Sequence, residues 1–345
     1  MNNMTTPHST NHYQQSYRLP AEWEPQSAVI LTWPHKNTDW APMLNDIESV
    51  FRKIATEIRK REQLIIVAPE GEANNVECNY RITAPTNDTW ARDHAFITLT
   101  PVTANGKRQL LDFKFNGWGE KFPAEKDNAI NRHIAEADII DGHYRSCLDF
   151  VLEGGSIESD GRNTVFTTTR CLMAPHRNQP LTQTEIEQRL KQELHAERIV
   201  WIDHGQLTGD DTDGHIDTLV RTAPNNTLLY IKTDDSSDEQ YAELKLMEQQ
   251  LRQLRTPDGQ PYRLLALPLP HPIYDEGQRL PATYANFLVI NGAVLCPTYG
   301  QDNLDRKAME IIATAFPQRE TIGIDCRPVI RQHGALHCLT MQIPV

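Results

Sequence analysis

Ala28-Val29-Ile30-Leu31-Thr32-Trp33, the stretch Met43 to Arg61, and Leu64-Ile65-Ile66-Val67 together spell one strand–helix–strand unit. The first run is short and apolar and reads as a buried strand. Across Met43 to Arg61, the residues Ile47, Val50, Phe51, Ile54 and Ile58 recur at helical spacing and fall on one face. The last run is a second short strand, stopped at Ala68-Pro69.

The same alternation continues along the chain. Ala95 to Thr100 reads as a strand ending before Pro101, and Asp127 to Ala137 as a helix. Thr164 to Thr168 is strand-like. Thr182 opens a helix running to about His195, with Glu185 completing a capping box. Arg198 to Ile202 is a strand, followed by a loop of glycines and aspartates. Thr218 to Thr222 and Thr227 to Ile231 form a hairpin across Asn225-Asn226. A helix over Asp238 to Leu254 leads to strands at Arg263 to Leu267, Ala285 to Ile290 and Ala293 to Cys296, with a turn at Asn291-Gly292. Leu304 to Phe316 is helical, and Thr321 to Ile324 is expected as the final strand. The unit recurs about five times, which by itself indicates an α/β domain or a ring of similar units. No linker-like shift in composition divides the chain. Met1 to Tyr17 is polar and is expected to be a partly disordered leader before a single domain spanning 18–345.

The chain has 345 residues, 39% of them hydrophobic and 23% charged, as in a soluble globular protein. No apolar run is long enough to cross a bilayer, and the N-terminus lacks the basic-then-apolar pattern of a secretory signal. A cytoplasmic location is the resulting expectation. The formal net charge of -12 argues against a nucleic-acid partner and permits a cationic ligand, although it equally serves solubility. The six cysteines, Cys78, Cys147, Cys171, Cys296, Cys326 and Cys338, have no Cys-x-x-Cys spacing. Free thiols are expected rather than a zinc site or a disulfide framework.

Four segments concentrate reactive residue types: Thr89 to His94, Leu152 to Ser156, Gly209 to Asp217, and Gly334 to Thr340. A cysteine becomes a nucleophile where its surroundings favour thiolate, and a distant histidine can supply that field and shuttle protons. His215 and Cys338 suit those roles. If His215-Ile216-Asp217 is a strand, alternation points His215 and Asp217 to one face. Blander readings stand beside these. Cys338 is an inert core thiol, Asp210, Asp211 and Asp213 a solvated turn, Gly154-Gly155 a tight turn, and Trp90 with Arg92 a surface stacking pair. His337 is read as structural, because successive strand residues face opposite ways. His94 resembles many exposed histidines.

Taken in order, these segments resemble the agmatine deiminase family of guanidino-group-modifying enzymes, related to peptidyl-arginine deiminase. The likeness is carried by Arg18-Leu19-Pro20-Ala21-Glu22-Trp23-Glu24-Pro25, Trp33-Pro34, Trp90-Ala91-Arg92-Asp93, Phe115-Asn116-Gly117-Trp118-Gly119, Glu153-Gly154-Gly155, Asp211 to Asp217, and His337-Cys338-Leu339-Thr340. It implies a pentein, a five-fold pseudosymmetric α/β propeller of ββαβ-like units with its site in a central channel. It also implies that Cys338 is the nucleophile, that Asp93 and Asp217 hold the guanidinium, and that His215 is the general acid and base, oriented by Glu153. Trp90 would flank the aliphatic chain of the substrate, and Asp211 is a candidate for its far ammonium.

The implied reaction is hydrolysis of a linear amidine, agmatine to N-carbamoylputrescine and ammonia, through a covalent Cys338 thiouronium. It needs neither metal nor organic cofactor, and it places the protein in polyamine metabolism. A homodimer is a further expectation of the resemblance; membranes and nucleic acids are not expected partners. The rivals are a deiminase of arginine, methylarginine or peptidyl arginine, a Cys-His amidase, and a non-catalytic binding module of the same fold. Two departures from the family pattern bear on substrate choice. The usual Trp-x-Arg-Asp-x-Gly-Pro continues here as His94-Ala95-Phe96, and the run before His337-Cys338 reads His333-Gly334-Ala335-Leu336.

Overall fold

A computed structural model describes residues 17–103 and 106–345. The expected leader lies outside the described residues except for Tyr17, which pairs with Pro101 in a short strand, Tyr17–Arg18.

Among the described residues, one connection repeats in five sheets. A short inner strand pairs antiparallel with a second strand, a helix follows, and a third strand returns parallel to the second. In one sheet the strands are Thr340–Pro344, Gln26–Thr32 and Gln63–Ala68, with helix Leu44–Arg59 between the last two and Tyr80–Thr83 added at the edge. Its counterparts are Ile97–Pro101, Arg108–Lys114, helix Ile130–Glu136 and Gly142–Val151. The next is Ile157–Ser159, Thr164–Thr168, helix Gln183–Leu194 and Arg198–Ile202. Val220–Ala223, Thr227–Lys232, helix Tyr241–Gln253 and Arg263–Pro268 follow. The last is Leu288–Ile290, Ala293–Thr298, helix Asp302–Ala315 and Glu320–Asp325. A parallel return needs a long crossover, and the helix supplies it.

Local sequence accounts for these elements. Helix Leu44–Arg59 buries Ile47, Val50, Phe51, Ile54, Ala55 and Ile58, the stripe expected from spacing. The capping box at Thr182 and Glu185 is formed. Asn225 and Asn226 both take positive φ, 62° and 53°, which the tight hairpin between Val220–Ala223 and Thr227–Lys232 requires. The expected final strand is corrected: Glu320–Asp325 is followed by Thr340–Pro344, which pairs antiparallel with Gln26–Thr32 and joins the two ends of the chain in one sheet. No helix among the described residues is long and apolar enough to cross a membrane.

Candidate active site

The turn that precedes each inner strand is the constructive unit of the site. Ala91–His94 carries Asp93, Glu153 leads into the 3-10 turn Gly154–Ser156, Ile216–Thr218 carries Asp217 just after His215, Asn286 precedes Leu288–Ile290, and His337–Leu339 carries Cys338. The same structural slot in five units thus supplies every central residue, which is how side chains 245 positions apart (Asp93 and Cys338) come together. His215 and Asp217 do not lie on a strand, as alternation would have it; Ile216–Thr218 is 3-10, and its tight turn directs both inward. His337 and Cys338 likewise share a 3-10 turn.

Asp93, Glu153, His215, Asp217 and Cys338 are all buried. His215 Nδ1 lies 3.6 Å from Asp93 Oδ1, and its Nε2 lies 3.7 Å from Glu153 Oε2. Cys338 Sγ is 3.9 Å from Asp217 Oδ2 and 3.4 Å from Asn286 Oδ1. Gly155 forms the floor. A Cβ there would sit 2.6 Å from His215 Nδ1, 2.8 Å from Asp93 Oδ1 and 3.1 Å from Asp217 Oδ2. Gly154 and Gly155 do form the tight turn read from the sequence, and their missing side chains also let the neighbouring turns approach. The Gly155 N–H also donates to Asp93 Oδ1 at 3.0 Å.

Electrostatics follow from burial and these neighbours. Burial pushes the Asp93 carboxyl up to about 6, with Asp217 and Glu153 adding to the effect and His215 opposing it. Burial opposes charge on His215, but Asp93, Cys171 and Glu153 beside it raise its pKa well above the ordinary value. Burial and the carboxylates of Asp217 and Asp93 push the Cys338 thiol well up. Burial would raise Glu153, yet Arg177 and His215 bring it below the ordinary carboxylate range.

A cavity of about 210 Å³ leads from the surface to Cys338 and Asp93. Trp90, Trp118 and Phe122 line it together with Asp39, Asp88, Asp211 and His333. Trp90 is buried and packs edge-on to Trp118 at 6.5 Å. It makes no surface stack with Arg92, which is itself buried and bonds the His337 carbonyl and Gln342. Gly334 lies flat on the Trp90 ring, where any Cβ would overlap the indole. Asp211 is at the mouth, its Oδ2 3.8 Å from His333 Nδ1, while Asp213 is taken up by Arg177 and Lys121. Asp210 holds the loop as a turn, accepting from Thr212 and Gly214. His94 is buried against Thr32, not exposed.

Three further residues belong to the site. Trp118 Nε1 donates to Asp93 Oδ2 at 2.9 Å. Arg177, its side chain fully buried, bonds both Glu153 oxygens at 3.1 Å and donates to Asp213 at 2.6 Å. Asn286 Oδ1 accepts from the His337 and Cys338 N–H groups. Trp118 lay inside a motif the sequence singled out. Arg177 and Asn286 carry no local pattern; the five-slot alignment of turns is the signal that finds Asn286.

Among the described residues, two groups of side chains have donors close enough to share a metal: Glu153, Cys171 and His215, and Glu22, Glu158 and His337. In the first, Arg177 already lies on Glu153; in the second, Arg221 bonds both Glu22 and Glu158. A guanidinium compensates each cluster where a cation would otherwise be needed, so neither donor set fits a resident metal.

A buried Cys, His and paired carboxylates at the base of an acidic, aromatic shaft, on five ββαβ units, define the deiminase class of guanidine-modifying α/β enzymes. Residues 18–344 match the family model described as Porphyromonas-type peptidyl-arginine deiminase, and the chain belongs to that family. It is similar to a crystal structure from Porphyromonas gingivalis, provisionally named arginine deiminase, with 49% identity and a TM-score of 0.89 over 96% of this chain and 98% of that one. It also resembles C. jejuni agmatine deiminase solved with substrate bound, with 35% identity and a TM-score of 0.86 over 95% and 96% of the two chains. A Vibrio parahaemolyticus relative, provisionally named agmatine deiminase, is 33% identical over 97% of this chain and 99% of its own.

Proposed function

We propose that this protein hydrolyses agmatine to N-carbamoylputrescine and ammonia. The observation that carries the choice of substrate is the charge of the shaft. Asp39, Asp88 and Asp211 line it, and neither arginine nor lysine does. A distal ammonium is attracted there, while the α-carboxylate of free arginine would meet three carboxylates with no guanidinium or ammonium to pair it. The named C. jejuni and Vibrio relatives support the same reading.

The guanidinium docks between Asp93 and Asp217, whose bidentate contacts keep it planar over Cys338. Its positive charge offsets the two carboxylates that hold the thiol up, so the thiol gives its proton to solvent and thiolate forms as substrate arrives. Sulfur attacks the guanidinium carbon and gives a tetrahedral adduct. His215, charged at rest, delivers a proton to the leaving nitrogen, and the C–N bond breaks to release ammonia. Neutral His215 then takes a proton from water, whose oxygen attacks the thiouronium carbon. The C–S bond breaks, leaving the ureido product and restoring Cys338. Glu153, clamped by Arg177, keeps the imidazole in line.

We assign the finer fold and setting on the same footing: five units closed around one channel, a single domain over 18–345, a cytoplasmic enzyme of polyamine metabolism, and a homodimer. The 49% identical Porphyromonas relative makes arginine the second reading. A substrate panel decides. Purified protein is given agmatine, arginine, methylarginine and a peptidyl arginine, and ureido product is measured. The expected result is turnover of agmatine with kcat/KM well above the others; preference for arginine would replace the substrate, and hydrolysis of a neutral amide with no guanidine turnover would replace the reaction.

A further inference from the structure

The opening motif around Glu22 lies far from Cys338 in sequence but reaches it through one side chain. His337 Nδ1 is 2.7 Å from Asp217 Oδ2, and His337 Nε2 is 2.7 Å from Glu22 Oε2. We propose that Glu22 and His337 are positioning residues that hold Asp217 in its charged, guanidinium-binding state; this rests on the deiminase reading above.

An imidazole that faces a carboxylate at both nitrogens donates from both only as the cation. Glu22 therefore keeps a positive charge beside Asp217 in a site from which water is excluded. The charges that face the ring are Asp217, Glu22, Glu158, Arg221 and Arg92, with Cys338 following it in the chain. Arg221 Nη2 donates to Glu22 Oε2 at 2.7 Å and stands 3.1 Å from His337 Nε2; Arg221 also bonds Glu158, and Arg92 bonds the His337 carbonyl. Two arginines and one imidazolium thus balance three carboxylates.

The bond from His337 occupies Asp217 Oδ2 and leaves Oδ1 buried without a partner. A buried carboxylate oxygen left unpaired is costly unless a ligand completes it. The free oxygen is the one available to the guanidinium. Burial alone would raise the Asp217 carboxyl; the His337 bond and charge, with His215 and Arg221, bring it below the ordinary range. Glu22 also lines a second cavity of about 90 Å³ with Gly154, Glu158 and His337.

The test compares wild type with Glu22→Gln and His337→Gln, two changes at separate links of one chain. Ureido product from wild-type protein checks the deiminase reading independently. In either variant Asp217 loses the cation that keeps it charged. Burial, no longer opposed by that cation, should then lift Asp217 past Asp93, so that Asp217 takes over the acid limb of kcat/KM and moves it upward by about one pH unit; KM for agmatine should rise about tenfold, while kcat at high pH changes little. Glu22→Asp, which keeps the charge, should restore the wild-type limb. A uniform loss across all pH values, or an unchanged profile in a folded variant of either kind, would overturn the inference while leaving the reaction intact.

Discussion

Asp93 and Asp217, proposed to hold the guanidinium, are buried carboxylates held by neighbouring donors. Asp93 is anchored at both oxygens, by Trp118 at Oδ2 and the Gly155 N–H at Oδ1, whereas Asp217 is anchored at Oδ2 by His337 and keeps Oδ1 unpaired. Loss of either charge removes both attraction and alignment, so Asp93→Asn and Asp217→Asn are each expected to lower kcat/KM for agmatine at least ~10²-fold in steady-state assays. The pH profile follows from the same burial. With its carboxyl raised to about 6, Asp93 is neutral below that pH and charged above it. Guanidinium binding therefore needs the pH to exceed about 6, and kcat/KM of the free enzyme should fall as pH drops through that value. A flat profile from pH 5 to 8 would remove Asp93 from the binding step. These residue types were legible in the sequence because Cys338, His215 and the acids fell in dense motifs. Arg177 was not, since a lone arginine has no pattern until Glu153 is seen beneath it.

The elements were read best where their period was plain. The stripe of Leu44–Arg59 and the capping box at Thr182 came through because helix burial and capping are local. Strand Gly142–Val151 did not, because its exposed His143, Tyr144 and Ser146 blur any alternation. Ile157–Ser159 is only three residues long and gives no period at all. The largest misreading concerned the turns. His215 to Asp217 was expected to alternate along a strand, yet the chain uses a 3-10 turn there and in two of the other slots, a single helical turn for Asp93 and an irregular approach at Asn286. The turn after Glu153 makes the sharpest demand, because it passes within contact of three reacting groups. Gly155→Ala would push a methyl into His215, Asp93 and Asp217. It is expected to reduce kcat/KM ~10²-fold or more through misplacement of those groups, with the melting temperature close to wild type; full activity would show that the floor can yield.

Across the whole molecule, the repeat explains why a site can be drawn from five distant segments without any one of them looking complete. Each unit contributes one turn, and the unit that contains Cys338 is assembled from both chain ends. Thr340–Pro344 pairs with Gln26–Thr32, and its Met341 and Ile343 are buried. Deleting residues 340–345 should therefore do more than loosen the nucleophile. It removes a strand from the sheet core, and thermal denaturation is expected to show loss of the cooperative transition. Deletion of the exposed Val345 alone should leave it nearly unchanged.

The central claim is that the buried Cys338 sulfur bonds to the guanidinium carbon of the substrate. Rapid quenching during agmatine turnover, followed by peptide mass spectrometry, tests it most directly. The expected result is an amidino adduct on the peptide containing Cys338, absent without substrate, and no ureido product from Cys338→Ala. Turnover by Cys338→Ala, or an adduct on another residue, would contradict it.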